Sequence, residues 1–370
     1  MRVVHVAPRR HRGEDPFEPA VVALARAQAK ASGYPVQVAA AADEAQSVRL
    51  EDIELRAFAS GSPRRLGRSR TLRHHLAKCP LELIHAHCPG QRGLHYAFVA
   101  AQRHGAPLVI SPGGEFGLGP AERLRLRCAF HRLATHPQAL EQAAGWHATS
   151  AEEAAAIHAC GFEQPVCVAP RGIPIPSAAA LDTYRKWWRH RLPKLGDRPI
   201  ALCTDPLKKD SRLVELIARW GDSFTADWLL LIVGKPGDVA PELLAATARR
   251  HGAGDRVLVV TPDEAPPYAI GRLFVSATGN PNNVDRVSMA LASGLPVLVA
   301  DQTPWSRLGA DGVGWCVPWK DYGNTLKTIL ARGPDELATI GRGARDLARR
   351  EFDWAHTAEV LLGFYRHLRA

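Results

Sequence analysis

A chain of 370 residues, 46% hydrophobic and 23% charged, has the balance of an ordinary globular protein, and its length favours two domains. No apolar run reaches the ~18 residues of a membrane-spanning helix, and MRVVHVAP at the start reads as a first strand rather than a secretory signal. The formal charge of +10 is one-sided: residues 1–195 hold 26 Lys and Arg against 16 Asp and Glu, and the remainder holds 21 of each. Such a basic half suits an anionic partner, whether a membrane surface, an acidic acceptor or nucleic acid; an arginine-rich composition on solvated faces explains it equally. Seven cysteines (79, 88, 128, 160, 167, 203 and 316) show no C-x-x-C pair, which fits small buried side chains in a reducing cytosol.

In chain order, residues 2–7 predict a strand, Pro19 to Ala31 a helix stopped by Gly33, and Val36 to Ala39 the next strand: a Rossmann-like opening. The intervening loop is rich in charge, and Arg10, Arg12 and Gly13 are candidates for holding an anionic acceptor or simply parts of an exposed loop. Residues 61–75 carry five arginines and two histidines without an acidic residue, as a basic loop or short helix near lipid headgroups would. Aromatic residues are too sparse there for nucleic-acid stacking, so no nucleic-acid partner is expected. Leu81 to Ala86 is a strand that ends in His85 and His87, whose i, i+2 spacing turns both rings the same way. A metal pair needs a third ligand, and none is evident nearby in sequence, so no metal is expected.

Pro107 to Ser111 is a strand, followed by Pro112-Gly113-Gly114-Glu115; Glu115 is either a general base or an ordinary loop carboxylate. Trp146 to Ser150 leads into a helix with a Ser150/Glu153 capping box, closed by Gly161. Residues 173–198, with Pro174, Pro176, Pro193 and the basic Trp187-Trp188 stretch, read as a linker whose rings meet either a membrane interface or the inside of an interdomain helix.

The second half predicts strands at Pro199 to Thr204, Trp228 to Val233, Val257 to Val260, Leu273 to Ser276 and Leu295 to Ala300. Helices are expected at Ser211 to Trp220, 241–251 and from Val284, the last N-capped by Asn282 or Asn283 and closed by Gly294. A loop of this kind, at the carboxyl end of a parallel strand and before a helix, offers free N–H groups to a phosphate.

Ala290-Leu291-Ala292-Ser293-Gly294-Leu295-Pro296-Val297 and Thr303-Pro304-Trp305 resemble the donor-binding segment of family-4 retaining glycosyltransferases. His147-Ala148-Thr149-Ser150, the His-x-His at 85–87, Pro206 with Lys208, and Gly312 to Val317 extend the resemblance over nearly the whole chain. It implies a GT-B, α/β fold: two Rossmann-like domains facing across a cleft, with a C-terminal helix packing back on the N-terminal domain. The implied divisions are an acceptor-side domain over 1–172, a linker over 173–198, a nucleotide-sugar domain over 199–350 and a crossover helix over 351–370. The implied activity is metal-independent sugar transfer from a nucleotide-sugar donor to a glycan or lipid-linked acceptor in cell-surface polysaccharide assembly. No cofactor is needed, and the place is the cytoplasm, peripherally on the inner face of the plasma membrane. The residues carried over are His87 and Glu115 as catalytic groups. Lys208, Lys209, Thr261, Asn282, Asn283, Val284, Asp285 and Met289 are assigned to the donor, and Arg10, Arg12, Gly13, Gly113 and Gly114 to the acceptor side. Four family positions lack their polar group here: the two glutamates fall on Pro281 and Met289, the phosphate arginine on Cys203 (or Thr204), and a projecting side chain on Gly113. A catalytically inactive relative serving as a binding or scaffold protein is therefore the alternative.

Overall fold

The computed structural model describes residues 1–10, 14–62, 66–87, 90–113, 137–222, 227–278, 284–300 and 305–370. They form two compact units, Met1–Gly172 with Phe352–Ala370, and Ile173–Glu351.

In the first unit, β1 (Val3–Ala7) is buried along its whole length and pairs in parallel with β2 (Val36–Ala42) on one side and β5 (Leu83–Ala86) on the other. The sheet has eight strands in the order β3-β4-β2-β1-β5-β6-β7-β8. Here β4 is Ile53–Ala59, β6 Leu108–Ile110, β7 Gly145–Ala148 and β8 Val166–Val168. All pairs are parallel except β3 (Gln46–Arg49) on β4, a hairpin edge that the sequence reading missed. Continuous apolar strands such as VVHVA fit a sheet covered on both faces, and separate cores line its two sides. Helix α1 (Pro19–Ser32) ends at Gly33 in the left-handed region, as expected. Helix α2 (Arg70–Lys78) is N-capped by Ser69 and buries Leu72 and Leu76, one turn apart. Helix α3 (Arg92–His104), the short α4 (Pro137–Glu141) and α5 (Ala151–Ala159) complete the covering. Ser150 caps α5 through the Glu153 N–H, while the Glu153 carboxylate turns back to the N–H and hydroxyl of Thr149.

The second unit has a six-stranded parallel sheet ordered β11-β10-β9-β12-β13-β14. Its strands are β9 (Ile200–Cys203), β10 (Leu229–Val233), β11 (Val257–Val260), β12 (Leu273–Ser276), β13 (Val297–Ala300) and β14 (Gly314–Val317). The segment expected as a linker is part of this unit: helix α6 (Ala178–Arg191) buries Trp188, whose indole N–H donates to the Ala265 carbonyl at 3.0 Å. Trp187 stays half-buried against it, because an apolar ring with one buried donor needs a packed partner and not a tether. Helices α7 (Leu213–Gly221), α8 (Pro241–Arg250), α9 (Val284–Ala292), α10 (Trp319–Leu330) and α11 (Pro334–Glu351) follow. Gly294, with φ 81°, ends α9 as predicted.

The last helix, α12 (Trp354–His367), returns to the first unit and packs on α1, burying Ala358, Leu361, Leu362 and Tyr365. This division redistributes the charge. The first unit holds 23 Lys and Arg against 17 Asp and Glu and the second 24 against 20, so the excess is spread over both. Cys79, Cys167, Cys203 and Cys316 are free thiols, but Cys160 is in a disulfide, which departs from the reduced state expected for all seven. No helix of the described residues is long and apolar enough to cross a membrane.

Candidate active site

Both sheets reverse strand order beside their first strand, at β1/β5 and at β9/β12, and ligands in open α/β sheets collect outside the carboxyl ends at such points. Each unit buries a polar cluster there.

In the first unit, His5 on β1 lies directly across from His85 on β5. His87 follows β5, Ser111 follows β6, and His147 sits in β7. The groups form one continuous hydrogen-bonded chain. His87 Nε2 meets His5 Nδ1 at 2.9 Å, and His5 Nε2 meets Gln28 Oε1 at 2.8 Å. The Gln28 amide donates to the Tyr365 hydroxyl at 3.1 Å, which lies 2.6 Å from His85 Nδ1. His85 Nε2 is 2.7 Å from Ser111 Oγ, Ser111 Oγ is 2.6 Å from His147 Nδ1, and His147 Nε2 meets the Ala169 carbonyl at 2.9 Å. Burial lowers the affinity of all four imidazoles for a proton. It takes His5 to about 4 and, with repulsion from neighbouring histidines, holds His85 and His87 well below the usual range. The rings are therefore neutral at physiological pH.

His5 is the third histidine that sequence spacing could not place beside His85 and His87; one ring nitrogen from each of the three lies within 4.8 Å of the others. Five of those six nitrogens already serve the hydrogen bonds above, so a cation here would have to displace them. A cavity of about 300 Å³ opens at the same strand ends, lined by His87, Ser111, Gly113, Thr149, Arg171 and Trp354 among others. A larger cavity, about 790 Å³, lies at the amino ends near Val3, Val36 and Ile53, away from the switch point.

The second unit builds its cluster from charge. Asp205, just past β9, is fully buried and accepts from the Ser276 hydroxyl at 2.9 Å and from the N–H groups of Ala277 and Thr278 past β12. Arg286, in the first turn of α9, sets its Nε 3.6 Å from the same carboxylate. Burial pushes the Asp205 carboxyl up, while Arg286 and the three donors pull it back. Tyr322 from α10 ties the two strand ends together through the carbonyls of Ser276 and Leu298.

The residues expected from sequence are distributed as follows. His87 is at the cavity, as is Gly113, whose φ of 61° places it in the left-handed region with nothing within 4 Å of an added Cβ. Arg10 is engaged by Glu14 and Glu18, and Arg171 pairs with Glu18 at 3.7 Å. Lys208 and Lys209 are exposed on the loop after β9, and Thr261 is exposed after the edge strand β11. Asp285 is exposed and Met289 half-buried on α9, with Val284 opening that helix. Arg12, Gly13, Gly114, Glu115, Asn282 and Asn283 lie outside the described residues, as do Pro281, Thr303 and Pro304. Sequence reading missed His5, Ser111 and His147 because only the strand order brings them together, and Gln28 and Tyr365 because they meet only where α12 packs on α1. It missed Asp205 and Arg286 because neither sits where the resemblance places a functional group.

Comparison with known proteins agrees with this architecture. Residues 2–172 match the model of the glycosyl transferase 4-like domain. The D-inositol 3-phosphate glycosyltransferase of Mycolicibacterium smegmatis is 27% identical over 203 residues, 46% of this chain and 43% of that protein. This chain therefore matches less than half the length of that curated relative. A glycosyltransferase from Rickettsia africae superposes with a TM-score of 0.73 at 14% identity, covering 99% of this chain and 98% of that one. Anabaena HepE in complex with UDP gives 0.72 at 16% identity, over 99% and 100% of the two chains. Sucrose-phosphate synthase from Thermosynechococcus elongatus gives 0.70 at 18% identity, over 99% and 98%. The chain has a GT-B fold of the group-1, family-4-like kind, and its residues 2–172 match the glycosyl transferase 4-like domain.

Proposed function

We propose that the chain is a nucleotide-sugar-dependent glycosyltransferase that moves a sugar to a glycan or lipid-linked acceptor in cell-surface polysaccharide assembly. The observation that carries this reading is the Asp205–Arg286 node at the switch point of the second sheet, with Lys208 and Lys209 on the neighbouring loop. The resemblance asks for an arginine at Cys203 or Thr204, but Cys203 is fully buried in β9. Arg286 brings a guanidinium to that strand end from a different element. Guanidinium and ammonium groups together with the N–H groups at the start of α9 would offset the charge that develops on a departing diphosphate, the largest single contribution such a site can make. UDP and UDP-glucose in the HepE structures support a nucleotide-sugar donor, and the name of the mycobacterial relative supports glycosyl transfer.

His87 is proposed on the acceptor side, at the cavity with Gly113 and Thr149. Thr261 is proposed for the base, and Asp285 for the donor hydroxyls that Met289 cannot bind. Helix α2 turns Arg70, Arg73 and Lys78 to solvent opposite buried Leu72 and Leu76, which supports peripheral attachment to the anionic inner face of the plasma membrane. A cytoplasmic site of action belongs to the same proposal. Turnover is the test: the full chain is incubated with a panel of nucleotide-sugars and envelope glycan or lipid acceptors, and nucleoside diphosphate release is followed by mass spectrometry. Acceptor-dependent release is expected. A second reading, a non-catalytic binding relative, draws on Met289, Gly113 and buried Cys203, and saturable binding without release would establish it.

A further inference from the structure

The hydrogen-bonded chain in the first unit has one end whose polarity is fixed by chemistry. Ala169 offers a carbonyl oxygen, which only accepts, so His147 Nε2 carries the proton and its Nδ1, in a neutral ring, is a lone pair. Ser111 must then donate to His147 and accept from His85 Nε2–H. His85 Nδ1 is left as an acceptor, so Tyr365 donates to it and accepts from the Gln28 amide N–H. The carbonyl end of that amide takes the proton on His5 Nε2, and His5 Nδ1 takes the proton on His87 Nε2. The opposite order would set two lone pairs face to face at Ala169. A single break in direction would need a charged imidazole at His5, His85 or His147, all three buried away from water. Every donor has one acceptor, and the Gln28 orientation agrees with the sequence of protons imposed from the other end.

We infer that this relay is a tautomer lock: it holds His87 in the Nε2–H form and presents its Nδ1 lone pair to the 300 Å³ cavity as a hydrogen-bond acceptor for a hydroxyl-bearing ligand. Nδ1 is the one ring nitrogen of the His5, His85 and His87 group with no hydrogen-bond partner among the described residues, and His87 lines the cavity. Tyr365 and Gln28 are positioning residues; neither lines that cavity. Since Tyr365 arrives on α12, the last helix of the chain, the acceptor at His87 is set only when α12 has docked on α1. The proposal rests on the glycosyltransferase reading only for the identity of the hydroxyl; the tautomer does not depend on turnover.

The test is the long-range ¹H–¹⁵N spectrum of the full chain labelled at histidine, with His87 assigned through His87→Asn. Wild type at pH 7.5 should show His87 as one neutral species protonated at Nε2. Ser111→Ala separates the relay from its Ala169 anchor, and Tyr365→Phe cuts it in the middle. Either change should yield resonances of both His87 tautomers, although neither residue bonds to His87. Ser111→Thr, which keeps the hydroxyl, should restore the single form and shows that lost packing is not the cause. Survival of the pure Nε2–H form after either cut would overturn the lock, as would an Nδ1–H or charged His87 in wild type. Absence of glycosyl transfer in a protein with the expected spectra would remove the proposed function and leave the lock standing.

Discussion

The two units solve the same problem at the same topological point with opposite chemistry. Under the β1/β5 ends, the first unit sets four neutral imidazoles linked by hydroxyls and an amide, three of them buried and His87 half-buried at the cavity. Under the β9/β12 ends, the second buries a carboxylate beside a guanidinium. A neutral relay keeps its polarity without net charge and suits recognition of hydroxyls, whereas a guanidinium with Lys208 and Lys209 on the neighbouring loop suits an anionic ligand. The difference fits a division of labour in which the first unit meets the acceptor and the second holds the donor diphosphate.

The two units should diverge most when Arg286 is replaced. Arg286→Ala leaves Asp205 buried without its cation and should cost the second unit about 3 kcal/mol, whereas Arg286→Lys should cost less. Denaturation monitored by hydrogen exchange in each unit checks this; loss in the first unit instead would contradict it.

Acid separates the two units with opposite sign. His5 is held at about 4 against 6.5 for an ordinary imidazole, so the unfolded chain takes up a proton that the folded chain refuses. Its contribution is present above pH 6.5 and is lost as pH falls towards 4, a change of about 3 kcal/mol from this residue alone. The depressed His85, His87 and His147 act in the same direction. Asp205, raised by burial, binds its proton more readily folded than unfolded, so acidification through its folded value favours the second unit there. Exchange protection measured from pH 7 to pH 4 should therefore fall first in the first unit. Parallel loss in both would contradict the contrast.

A side chain at Gly113 has room but the wrong backbone. Gly113→Ala should cost about 1–2 kcal/mol because of its left-handed φ, and Gly113→Asn less, as read by thermal melting. At each residue alone the effect expected at and just before α2 is no larger: replacing Arg68, Arg70 and Arg73 with glutamine should weaken flotation with anionic vesicles, by about 1 kcal/mol per residue at most, and leave neutral vesicles unchanged. Equal flotation with both vesicle types would remove the membrane surface from the account.

Much of this was legible in sequence, and the reason is local. Apolar runs such as Leu229–Val233 and stop signals such as Gly33 and Gly294 act over a few residues, so strand and helix order could be read directly. His87, which lines the cavity, and Lys208, which is exposed on the loop after β9, could be singled out because a local motif carries each. The relay was not, since Gln28 and Tyr365 are separated by 337 positions and meet only when α12 packs on α1. Arg286 escaped because its partner, Asp205, lies on a loop 81 positions earlier, and nothing in the spacing within α9 marks it. The segment 173–198 looked like a linker from its prolines, but the burial of Trp188 binds it to the second unit.

In the proposed function, the Asp205–Arg286 node of the second unit, with Lys208, holds a donor diphosphate. Calorimetric titration of the full chain with nucleoside diphosphates and nucleotide-sugars tests it directly, in wild type, Arg286→Lys and Lys208→Ala. Wild type should bind saturably. Each variant should lose affinity by roughly tenfold, the value of one charge-assisted hydrogen bond of about 1.5 kcal/mol, with Lys209→Ala losing less. No binding at millimolar ligand, or equal affinity in all four proteins, would contradict it.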